Sequence, residues 1–67
     1  MDYFDYERVA REAGITPDEL AQLEAATRLD YPGDQMLFEL RMLRTCKAIR
    51  DGYCTVAQAL ETREQAA

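Results

Sequence analysis

Apolar side chains at Tyr6, Val9, Ala10 and Ala13 fall at i, i+3, i+4 and i+7, the stripe of an amphipathic helix. The pattern predicts a first helix over residues 3–13, entered after Asp2 and ended by Gly14, a residue suited to the left-handed position behind a helix. Thr16, Pro17 and Glu19 then supply an N-cap, a first-turn proline and a capping-box partner, with Ile15 placed to staple onto Leu20. A second helix over 17–28 follows, burying Leu20 and Leu23 with Ala26 or Thr27. The segment Asp30-Tyr31-Pro32-Gly33-Asp34 breaks the periodicity, and Asp34 is placed to cap what comes next. Residues 35–51 read as the longest helix, stopped by Gly52. Thr55 and Gln58 form a second capping box for a short fourth helix over 56–64, with Val56, Ala59 and Leu60 inward and a frayed tail after Glu61.

The third helix carries two adjoining apolar sectors. One holds Met36, Leu40 and Leu43; the other holds Phe38, Met42, Cys46 and Ile49. Apolar residues over more than half a helix's circumference imply a central position in its own domain or a face shared with a second chain. Alanine, leucine and glutamate abound, while there are two valines and two isoleucines, so helix is favoured and no strand is expected. The expected fold is all-α, one four-helix domain spanning residues 1–67, with a long third helix and a short C-terminal one. A chain of 67 residues buries only about 60% of its unfolded surface, so help from a partner chain is a natural expectation.

From Val9 to Glu24 the chain resembles the helix-turn-helix family. Ala10 stands where that family has the small crossing residue, Gly14 at the turn, Ile15 just after it, and Leu20 and Leu23 at the inward positions of the second helix. The resemblance implies a tri-helical core and, if function follows, a second helix in the DNA major groove bearing basic or amide side chains. This second helix instead offers Asp18, Glu19, Gln22 and Glu24 before its one basic residue, Arg28. Residues 1–34 carry nine acidic and three basic side chains, a net of −6; residues 35–67 carry four and five, a net of +1. Phosphates would be repelled, and nucleic acid is not the expected partner. The alternative is a degenerate regulator touching DNA through Arg28, Arg41 and Arg44. The basic residues Arg41, Arg44, Lys47 and Arg50 step by three and wrap half the helix instead of forming one stripe.

Catalysis finds little support, because the chain has no histidine, serine or asparagine. The carboxylate pairs Asp2/Asp5 and Asp18/Glu19 sit where they favour helix starts, and no calcium loop, phosphate loop or metal-ligand spacing occurs, so no cofactor or metal is expected. Cys46 and Cys54 lack CxxC spacing and are expected to be reduced, although a reversal at Gly52 could bring them together. No apolar run nears the roughly 20 residues of a membrane span, and the N-terminus does not read as a signal peptide; a cytoplasmic protein is expected.

What remains is an interaction module, binding another protein or a second copy. The contact residues expected are Tyr3, Tyr31, Met36, Phe38, Leu40, Met42 and Leu43. Phe4 and Tyr6 read as lids over the helix ends, while Tyr3, Tyr31 and Tyr53 suit a lid or an interface equally.

Overall fold

The computed structural model describes residues 3–66, with side chains described through Glu61. Four helices follow in order: α1 (Tyr6–Glu12), α2 (Pro17–Asp30), α3 (Gln35–Arg50) and α4 (Val56–Ala66). The described residues contain no strand, and the architecture is a small all-α domain. Both α1 and α2 pack on α3, and α4 packs on α2.

The caps follow the local chemistry. Thr16 Oγ1 accepts from the Glu19 amide at 3.1 Å while Glu19 Oε1 accepts from the Thr16 amide at 2.9 Å; Thr55 and Gln58 repeat the box at the same two distances. Asp34 Oδ1 accepts from the Leu37 amide and starts α3. Gly14 (φ 75°) and Gly52 (φ 86°) end α1 and α3 in the same way. Behind each, paired amides reach back to the last turn: Gly14 to Arg11 and Ile15 to Ala10, Gly52 to Ile49 and Tyr53 to Ala48. This Schellman arrangement needs a positive φ, which glycine alone adopts without penalty.

Helix α1 is shorter than the periodicity predicts. It starts at Tyr6, with Asp5 as the N-cap accepting from the Arg8 amide. Asp2, the expected start, lies outside the described residues. The chain at Tyr3 and Phe4 is bent, because both of their amides donate to the carboxylate of Glu39 on α3. Helix α2 runs two residues past the expected end, to Asp30, and α4 continues to Ala66 where fraying was expected.

Val9, Ala10, Ile15, Leu23, Phe38, Met42 and Cys46 form the core. Of the two sectors of α3, the one bearing Phe38, Met42 and Cys46 points inward. Ile49 and Leu43 pack on its margin, together with Tyr6, Leu20, Tyr31, Val56 and Leu60. Among the described residues, no helix is long and apolar enough to cross a membrane.

Candidate functional site

At 100° per residue, α3 presents three faces. The inward face is occupied. Phe38 and Met42, both expected as contact residues, are 3% and 0% exposed; this corrects the expectation, because the core needs the very sector they occupy. Each such side chain contributes about 1.5–3 kcal/mol by leaving water, so neither is free to serve a partner. Tyr31 and Leu43 are half-buried and pack on the core.

The outward face keeps Met36 and Leu40. Met36 is exposed, and Leu40 is half-buried without joining the core cluster. Leu37, which the sector pattern passed over, is also exposed and lies one turn from Leu40. The signal was present in the i, i+3 spacing of the two leucines, but two strong sectors concealed a third position at their edge. Tyr3 is exposed near the same end of α3, because its amide is held by Glu39 at 2.6 Å. Leu29 is 79% exposed on the last turn of α2; with that helix expected to end at Arg28, it had no face assigned.

At the same end of α3 lies a polar cluster that the sequence did not announce. Glu39 is 1% exposed, a buried carboxylate. Oε1 accepts from the Tyr3 and Phe4 amides, and Oε2 accepts from Gln35 Nε2 at 2.5 Å. The Phe4 amide and then Gln35 hold its carboxyl below the ordinary carboxylate range, against the opposing effect of burial. Gln35 Oε1 in turn accepts from Arg28 Nη2 at 2.8 Å, so a cation is coupled to the buried charge through one amide. The Arg28 guanidinium lies 3.6 Å from the centre of the Phe38 ring. Tyr6 meets Phe38 edge to face, at 6.1 Å between centroids, and its hydroxyl donates to Glu24 on α2. Burial, then this hydrogen bond, raises the Tyr6 pKa.

The three arginines weighed as DNA contacts therefore separate. Arg28 is spent on Phe38, Gln35 and the Tyr31 carbonyl, whereas Arg41 and Arg44 stand on the third face of α3, at the rim of a cleft toward α4. On α2, Glu19 serves the cap and Glu24 the tyrosine, which leaves the helix acidic. Arg50 is held by Glu12 and Asp51 at 3.0 and 3.1 Å. Both cysteines are free thiols; Cys46 is buried, and burial pushes its pKa up to about 11. Among the described residues, no group of histidine, cysteine, aspartate or glutamate is arranged to hold a metal ion. No family model, curated protein or solved structure matches the chain.

Proposed function

We propose that this chain is a non-catalytic interaction module that binds another protein, or a second copy of itself, through the outward face at the start of α3. The observation that carries the reading is the apolar set Met36, Leu37 and Leu40 left outside a core that α3 already completes with its opposite face. Solvent-exposed aliphatic residues grouped on one rigid helix gain by being covered, and Tyr3 beside them has the mixed apolar and polar character common in interfaces. The absence of histidine and serine from the sequence supports a role without chemistry, and a cytoplasmic setting belongs to the same proposal.

Sedimentation of the wild type, Leu40→Glu and Met42→Glu tests it. Concentration-dependent association that Leu40→Glu abolishes, with the melting temperature kept, supports a homodimer. A wild type that stays monomeric moves the proposal to a different protein, whose capture Leu37→Glu and Leu40→Glu should then abolish. Unfolding by Leu40→Glu to the extent caused by Met42→Glu would place that face inside the fold and end the reading.

A further inference from the structure

Because α4 leans on α2 instead of closing onto α3, a cleft of about 230 Å³ remains between the three helices. Leu23 and Thr27 of α2 form its floor. Arg41, Arg44, Thr45 and Ala48 line one wall, and Cys54, Gln58 and Ala59 the other. Two features of this lining stand out. Arg41 and Arg44, one turn apart, have no ion-pair or hydrogen-bond partner among the described residues, in a chain with thirteen carboxylates and a net charge of −5. Thr27 is 3% exposed, and its hydroxyl likewise has no hydrogen-bond partner among those residues. A buried hydroxyl without a partner is costly, and here the residue that carries it lines a space that two guanidiniums overlook.

The geometry points to this cleft as a binding site for a small carboxylate with a short apolar chain. The two arginines and the Thr27 hydroxyl hold the carboxylate through charge-assisted hydrogen bonds, and the apolar part lies against Leu23, Ala48 and Ala59. The space suits a small molecule, since sites that enclose drug-sized ligands run to roughly 300–1,000 Å³. A phosphate fits less well than a carboxylate: the Gln58 and Ala59 amides at the start of α4 are already taken by Thr55, so the wall adds no helix-start donors for a doubly charged head.

Hexanoate is the probe, with hexanol and inorganic phosphate as comparisons. Amide spectra of the labelled protein should show saturable shifts at Thr45, Ala48 and Ala59 with hexanoate. Alkylation of Cys54 by N-ethylmaleimide should slow as the site fills, with buried Cys46 silent throughout. Arg41→Gln and Arg44→Gln, both at exposed positions, should each weaken binding about tenfold without lowering the melting temperature, while Lys47→Gln changes nothing. Thr27→Val keeps the shape of the side chain and removes its unpartnered hydroxyl; it should fold and bind hexanoate more weakly. Equal binding of hexanol would show that the arginines recognise nothing. Phosphate binding as tight as hexanoate would replace the proposed ligand by a simple ion. Shifts confined to other surfaces, or arginine variants that bind like the wild type, would likewise overturn the assignment.

Discussion

Around Glu39, near the start of α3, a buried carboxylate accepts three hydrogen bonds, two from the N-terminal bend and one from its own helix. Beside Thr45, less than two turns further along, the Thr27 hydroxyl and the Arg41 and Arg44 guanidiniums have no such partners among the described residues. Similar groups thus do different work on two faces of one helix. On the first face, polarity ties the N-terminal bend, α2 and α3 together. On the second, α4 stands off, and polarity is left facing a cleft. The difference teaches where to look for a ligand: beside polar atoms that the fold has not used, and not beside the most deeply buried charge.

The comparison is broken most severely by Phe38→Ala. The ring fills the core and is touched by both Tyr6 and Arg28. Its loss should cost roughly 3–5 kcal/mol, close to all that a domain this small can hold; denaturant titration by circular dichroism should show an unfolded or barely cooperative chain. A midpoint near that of the wild type would remove the ring from the centre of the stitched end.

Glu39→Gln ranks next, because a neutral amide accepts more weakly from the two backbone donors and brings an NH2 group of its own toward them. The wild type should also lose stability in acid. Glu39 has a folded-state pKa below its ordinary 4.5, so its contribution is complete above that value and disappears as pH falls through the lower folded-state value. Melting curves from pH 7 downward should show a steeper acid decline for wild type than for Glu39→Gln. Parallel declines would show that the carboxylate does not hold the bend.

Thr16→Ala should cost about 1 kcal/mol through its cap, an effect confined to the entry of α2 and visible as a lower melting temperature. At the alkaline side, the Cys46 thiol resists ionisation up to about 11 against an ordinary 9.0. The stability this represents is intact below the ordinary value and is lost as pH rises through the folded one. In keeping with that burial, a neutral maleimide should modify one thiol in the folded chain and two in denaturant. Smallest of all is Arg50→Ala, whose partners Glu12 and Asp51 are exposed; the unfolding midpoint should barely move.

The starts of α2, α3 and α4 and the stops of α1 and α3 were legible because they are written within four residues of one another, whereas the entry of α1 lies at Asp5 and not after Asp2, and α2 runs on to Asp30. Thr16 with Glu19, Thr55 with Gln58, and the glycines after α1 and α3 all act at that range. The choice between the two sectors of α3 was not legible, since both are apolar enough to be a core and only the placement of α1 and α2 decides. Glu39 was beyond reach for a different reason. Its donors lie at Tyr3 and Phe4, 36 and 35 positions away, and a glutamate in a helix otherwise reads as a solvated side chain. The cleft depends on α4 choosing α2 over α3, which no local pattern specifies, although Arg41 and Arg44 could be singled out as exposed cations from spacing alone.

The same separation between the N-terminal bend and Glu39 bears on how fast the chain can fold. Small helical domains usually assemble from near neighbours in microseconds to milliseconds, whereas contacts between distant residues slow the search. Here α1 must find α3 across the whole of α2 and the turn after it. Closing a loop of that length adds an entropic cost that grows only with the logarithm of its size. Once the α2–α3 hairpin has formed, α1 docks across only the short turn that joins it to α2 and is sealed when Glu39 captures the two amides; shortening or stiffening the Tyr31–Asp34 turn would therefore be felt at the earlier step, the closing of the hairpin.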